Sequence, residues 1–312
     1  MPTDPRVDAS AAFHRSMKRV TRLFGGRHGR LPAAPLPPPN ELDVRLGDVR
    51  LHALEWPGPA PTLLLLHGLN NNAWSWAHVA SLLSPSRRIL ALCLRGHGTS
   101  SSPASGYTLQ DTSRDLLGTL DALGLDTIDL AGHSWGGKVA THFACTHPER
   151  VRALALADPV LPGGLNRIIR TFPPLITASL RAERGPFPDQ ASWEAAGRSL
   201  IYLQHWDEVD RKLWSEAFRR TEDGAYHHVL PEAAFEEILG SALRQDISGL
   251  LSTLRIPVLL MRPTFTLSFL PGELRPLRKA LPHLVEKRIA GDHTFIHTNP
   301  LDTVDALQTF LP

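Results

Sequence analysis

Residues 130–137 read Leu-Ala-Gly-His-Ser-Trp-Gly-Gly, a G-x-S-x-G pattern between a short apolar run (Thr127–Ala131) and a stretch of helical character (Lys138–Thr146). A serine on so abrupt a strand-to-helix turn is forced into a strained backbone, which lifts its Oγ clear of the sheet. Gly132 and Gly136, two residues either side of Ser134, stand where any Cβ would collide in the turn. The context carries more than the pentapeptide: strand, turn and helix together read as a nucleophile elbow.

The rest of the chain supplies a sheet for that elbow. Thr62–Leu66 is apolar almost throughout, as a parallel strand buried on both faces should be. Strands are expected at Leu42–Leu46, Val49–Leu54, Arg88–Leu94, Val151–Ala157, Ile256–Met261 and Leu284–Ile289. Helices are expected at Trp74–Leu83, Leu109–Leu123 and Leu301–Leu311. This alternation predicts an α/β fold with a mostly parallel, doubly wound sheet. About 100 residues separate Ala157 from Ile256, too many for a loop inside a compact domain. They hold helical patterns at Ala191–His205, Asp210–Arg220 and Glu232–Leu243. The reading is a core of residues 42–161 and 251–312, with residues 162–250 inserted as a helical cap over the carboxyl edge of the sheet.

Residues 1–41 differ in character. Phe13, Met17, Val20 and Phe24 share one helical face among basic residues, and a proline-rich stretch, Leu31–Pro39, follows. This reads as a poorly ordered extension on a stiff linker. Its alternative is surface contact with a membrane or partner through residues 9–24. A net charge of +2 over 312 residues gives no sign of a nucleic-acid binder. No apolar run is long enough for a membrane span, and the N-terminus lacks a secretory apolar core. Cys93 and Cys145, the two cysteines, read as buried free thiols, which fits a reducing, cytoplasmic compartment.

Five landmarks in order resemble the α/β-hydrolase superfamily in its cap-bearing form, over roughly residues 42–312. They are His67-Gly68, Arg95-Gly96-His97-Gly98, the Ser134 elbow, the helical insertion and Gly291-Asp292-His293. The resemblance implies Ser134 as nucleophile, activated by a base that takes its proton. By position that base is His293, with an acid limb of activity near the ordinary imidazole value of about 6.5. His133 and His297 are expected to be packed residues. The family's usual acid follows the strand here read as Ile256–Met261, but in the loop Arg262–Glu273 Leu267 stands near that place, with no acid where one is expected. Asp158, after the strand that follows the elbow, is where some relatives carry the acid instead. It is the expected partner of His293, with Glu273 as an alternative.

The resemblance also implies an oxyanion hole from the backbone N–H groups of Leu69 and Trp135. Asn70-Asn71-Asn72 is expected to shape a tight loop, and Arg95 and His97 to brace a turn. Trp193, Tyr202, Trp206 and Trp214 either line an apolar cleft or form the core of the cap. The implied activity is hydrolysis of a small-molecule carboxylic ester or similar acyl substrate, itself expected to be apolar, through a Ser134 acyl-enzyme. No cofactor or metal is implied. Thioester, carbon–carbon bond cleavage or acyl transfer on the same machinery remains open, as does a ligand-binding protein without turnover. A serine at the elbow argues against epoxide hydrolase or dehalogenase chemistry, which uses an aspartate there.

Overall fold

Leu63, Leu64, Leu65 and Leu66 are all fully buried, and the strand they form lies between two layers of helices. A computed structural model describes residues 37–312, apart from 85, 162–172, 201, 202, 204, 205, 267, 269–271 and 273. The chain begins with β1 (Asn40–Leu46), β2 (Val49–Trp56) and β3 (Leu63–Leu66). A 3₁₀ turn (Ala73–Trp76) then leads into α1 (Ala77–Leu83). Next come β4 (Ile89–Leu92), α2 (Leu109–Ala122), β5 (Ile128–His133), α3 (Trp135–Thr146) and β6 (Val151–Ala157). The long segment that follows contains α4 (Pro173–Ala182), α5 (Gln190–Ser199) and α6 (Glu208–Ser215). It continues through a hairpin, β7 (Phe218–Arg220) and β8 (Tyr226–His228), to α7 (Glu232–Arg244) and α8 (Ser248–Leu251). The chain closes with β9 (Val258–Pro263), α9 (Leu274–Ala280), β10 (Leu284–Ile289), α10 (Phe295–Thr298) and α11 (Pro300–Phe310).

The eight-stranded sheet has the order β1-β2-β4-β3-β5-β6-β9-β10. The pairs β1–β2 and β2–β4 are antiparallel and the rest are parallel. Side chains alternate across it. Leu64, Leu66, Leu92 and Leu130 join a core with Leu116 of α2 and Phe143 of α3. Leu63, Leu65, Ala91 and Ala131 join a second core with Val79 of α1 and Leu307 of α11. Each fully buried leucine contributes about 1.5–3 kcal/mol of transfer free energy, so burial on both faces stabilises a sheet placed between two helical layers. Because β5 pairs β6 with His133 opposite Ala157, the next residues, Ser134 and Asp158, leave adjacent strands at the same edge.

Several boundaries differ from the sequence reading. The strand before the elbow extends to His133 and α3 starts at Trp135, because the turn has no loop to spare. The core begins before residue 42: β1 starts at Asn40, and the Pro37 carbonyl accepts bonds from Trp56 Nε1 and Ser81 Oγ. The helix expected over Ala191–His205 ends at Ser199. The one expected over Asp210–Arg220 ends at Ser215, and Phe218–Arg220 instead pairs with Tyr226–His228 around Gly224 (φ +88°). The Asp223-Gly224 step was the available turn signal. The amphipathic pattern at 9–24 lies outside the described residues. No helix among the described residues is long and apolar enough to cross a membrane.

Candidate active site

Ser134 has φ +54° and ψ −117°, a conformation that is costly for any residue with a Cβ. The surroundings impose it. Ser134 N donates to Ala157 O, while Ser134 O accepts from the amides of Gly137, Lys138 and Val160. A Cβ on Gly132 would lie 2.3 Å from Gly136 O, and one on Gly136 would lie 2.5 Å from His67 O. Both glycines are therefore steric requirements of a turn pressed against β3.

His293 occupies the turn between β10 and α10, and its ring is 40% exposed at the sheet edge. Its Nε2 lies 3.0 Å from Ser134 Oγ, and its Nδ1 lies 2.7 Å from Asp158 Oδ2. A carboxylate can only accept, so Nδ1 carries a proton and Nε2 is left to accept from the serine hydroxyl. Asp158 is fully buried, with φ +40°, and its amide donates to Met261 O. Burial alone would lower the basicity of His293. The bond to Asp158 and its charge, helped by Asp292 and Glu183, outweigh that and hold the imidazole pKa above its ordinary value.

The loop after β9 contributes a residue that sequence reasoning missed. Thr266 Oγ lies 2.8 Å from Asp158 Oδ1, and the Ser268 amide donates back to Thr266 Oγ. A threonine in a loop carries no signal by itself; its meaning depends on Asp158 lying opposite. Leu267 and Glu273 are outside the described residues. His133 turns inward, as a packed residue does, and its Nε2 donates to the His293 carbonyl at 2.8 Å. His297 is buried, which pushes its pKa down to about 3 and keeps it neutral.

Leu69 follows Gly68 in the loop that leaves β3. His67 is fully buried, its pKa pushed down to about 4. Its Nε2 accepts from Leu94 N at 3.0 Å, so Nδ1 bears the proton and donates to Gly68 O at 2.8 Å. The Gly68 carbonyl and Leu69 N–H belong to one trans peptide and point in opposite directions. Fixing the carbonyl therefore turns the Leu69 amide away from the His67 ring. A Cβ on Gly68 would lie 3.2 Å from Ser134 Cβ, which shows how closely this strand end passes the serine. Trp135 N–H is the first amide of α3, a position with no acceptor inside the helix. Arg95 forks both oxygens of Asp115 and accepts His97 Nδ1–H at its carbonyl, bracing the neighbouring turn.

The helical segment between β6 and β9 is seated on loops at the same edge. Asn70 Nδ2 donates to Leu180 O, Asn72 Nδ2 to Leu213 O and Trp74 Nε1 to Glu216. Asn72 also caps the 3₁₀ turn through Trp74 N, and Asn70 takes a left-handed φ of +64°. Trp193 and Trp214 pack with Phe187, Phe218 and Tyr226, which makes them core of this segment. Trp193 and Trp206 also edge a cleft of about 450 Å³, whose lining is mixed, since Glu194, Arg198, Glu208 and Arg211 share it. Tyr202 is outside the described residues. Cys93 is a buried free thiol accepting from Ala73 N; Cys145, also free, is only partly buried, contrary to expectation.

A family model described as alpha/beta hydrolase fold matches residues 61–300. Bifunctional epoxide hydrolase 2 of Mus musculus is 33% identical over 182 residues, 54% of this chain and 32% of that one. Haloalkane dehalogenase of Agrobacterium fabrum is 34% identical over 119 residues, 38% of this chain and 39% of that one. These matches span less than two-fifths of the relatives' own length. The crystal structure of E-2-(acetamidomethylene)succinate hydrolase superposes with a TM-score of 0.76 at 23% identity, covering 87% of this chain and 98% of that one. The thioesterase domain from the curacin biosynthetic pathway gives 0.68 at 21% identity, covering 87% and 98%. At these identities the structural likeness is one of fold. With the family match spanning most of its length, the chain belongs to the alpha/beta hydrolase family.

Proposed function

We propose that this protein is a serine hydrolase that cleaves a carboxylic ester or similar acyl compound through a Ser134 acyl-enzyme. The observation that carries this reading is the unbroken chain Ser134 Oγ–His293 Nε2 at 3.0 Å and His293 Nδ1–Asp158 Oδ2 at 2.7 Å. His293 takes the serine proton as Oγ attacks the carbonyl carbon, and Asp158 stabilises the imidazolium that forms. The amides of Leu69 and Trp135 hold the oxyanion. His293 then gives its proton to the leaving group, and water, activated by the same ring, releases the acid and restores Ser134. Residues 162–250 act as the cap over this site.

The nucleophile also separates this chain from the chemistry named for its curated relatives. A serine oxygen attacking an alkyl carbon of an epoxide or haloalkane would leave an ether, which water at neutral pH does not cleave. Attack on an acyl carbon leaves an ester, which the same triad can hydrolyse. Turnover through a covalent Ser134 intermediate therefore requires an acyl substrate.

The test is pre-steady-state hydrolysis of p-nitrophenyl esters graded in acyl length. A burst of p-nitrophenol matching the enzyme concentration, followed by a slower steady rate, is expected of an acyl-enzyme. Opening of styrene oxide with no turnover of any ester would refute the reading.

A further inference from the structure

Asn70 is buried, is not glycine and has φ +64°, so something must hold it there. The turn bond from Asn71 N to Gly68 O spans it, and three parts of the helical insertion hold it from outside. Asn70 Nδ2 donates to the Leu180 carbonyl of α4 at 3.0 Å, and Arg184 Nη1 donates to Asn70 Oδ1 at 3.3 Å. His228 Nδ1 accepts from Leu230 N at 3.1 Å, which puts its proton on Nε2, and that nitrogen donates to the Asn70 carbonyl at 3.4 Å. Arg184 is itself fixed. It is buried, donates through Nη2 to Leu230 O at 2.7 Å, pairs with Glu232 at 3.3 Å and lies 4.3 Å from the Phe235 ring centre.

Asn70 is the residue immediately after Leu69. The peptide before Leu69 is fixed from the sheet side by His67 through the Gly68 carbonyl. The residue after it lies in a turn closed by Asn71 N donating to Gly68 O at 3.3 Å, and its side chain is held from the insertion, through Leu180 and Arg184. We propose that Asn70 and Arg184 are positioning residues, through which the helical insertion sets the Leu69 amide for the oxyanion. The inference rests on the serine-hydrolase reading above. It makes the insertion part of the catalytic device as well as a cover: without its seat on Asn70, the loop keeps the His67 bond and its own turn bond but loses the side-chain anchors that aim the amide. Oxyanion donors act only when preorganised at the position where charge develops.

The experiment uses a fluorophosphonate, whose phosphoryl oxygen occupies the oxyanion position, on the full chain. Asn70→Gly is the informative variant, because glycine takes φ +64° without strain and only the carboxamide anchor is lost. Arg184→Met removes the guanidinium and keeps an apolar stem beside Phe235. The saturating labelling rate at Ser134 is expected to fall about tenfold to a hundredfold in Asn70→Gly, less than the roughly 10²–10³-fold loss of removing an oxyanion donor outright, because the amide is misaimed rather than deleted. The concentration for half-saturation should change less than twofold, and Arg184→Met, if it folds, should behave alike. Asn70→Gly labelling at the wild-type saturating rate would overturn the proposal, as would a loss seen only in the half-saturating concentration. Wild-type protein that takes no label at Ser134 would instead sink the serine-hydrolase reading, and this inference with it.

Discussion

Asp158 Oδ2 lies 2.7 Å from His293 Nδ1, a contact between residues 135 positions apart that joins the end of β6 to the turn after β10. The carboxylate is wholly buried, and its other oxygen faces Thr266 Oγ at 2.8 Å. In the proposed mechanism this pairing fixes which nitrogen of His293 meets the serine, and it stabilises the imidazolium formed during attack.

Asp158→Asn should therefore keep the fold while lowering kcat by orders of magnitude. In the trypsin substitution that the same logic describes, the loss is about 10⁴-fold, because an amide permits the wrong tautomer. The pH profile should change as well. The base works only when neutral, so wild-type activity rises with pH along a limb above the ordinary imidazole value of about 6.5. Without the Asp158 charge that limb should move down. An Asp158→Asn variant retaining most of its activity in a steady-state ester assay would remove the carboxylate from the mechanism.

Thr266→Val should lower kcat several-fold with little change in KM, and Thr266→Ser should restore it. The hydroxyl is the donor that holds the acid from the loop after β9. Its loss leaves a buried carboxylate one bond short, which costs about 1–3 kcal/mol. Steady-state kinetics on the three proteins decide the point; equal kcat for Val and Thr would exclude a role.

Lys138, one turn beyond the serine, is fully buried and donates from Nζ to Ser241 O, Ala242 O and Gln245 O at the end of α7. Lys138→Met should lower the unfolding free energy by about 1–3 kcal/mol, because the buried Ala242 carbonyl and two partly buried ones lose their donor. Burial pushes the ammonium down to about 8, opposed by Asp246. Between that value and the ordinary 10.4 or so of an unfolded lysine, the unfolded chain binds more protons, so this group adds stability as pH rises. Chemical denaturation across that range should show the wild type gaining on Lys138→Met. A constant difference would contradict the burial argument.

What was legible in the sequence follows from local chemistry. The elbow announced itself because Gly132 and Gly136 answer a steric demand within five residues, and the leucines of β3 because two-sided burial leaves no polar position. Asp158 was legible through its place at a strand end beside the elbow. The hairpin Phe218–His228 was not, since helical spacing runs on through Arg220 and the pairing lies across a turn. Thr266 and the Asn70–Arg184 contact were hidden for a deeper reason. Each is an ordinary polar residue whose partner lies 108 or 114 positions away, so only the folded arrangement gives it meaning.

The most direct test of the central claim is to treat wild type and Ser134→Ala with a fluorophosphonate, then read intact mass and map the modified peptide. The serine-hydrolase account expects one adduct per chain, on Ser134, with none on the alanine variant and no ester turnover by it. Equal labelling of the variant, or turnover that survives the loss of the Ser134 hydroxyl, would contradict it.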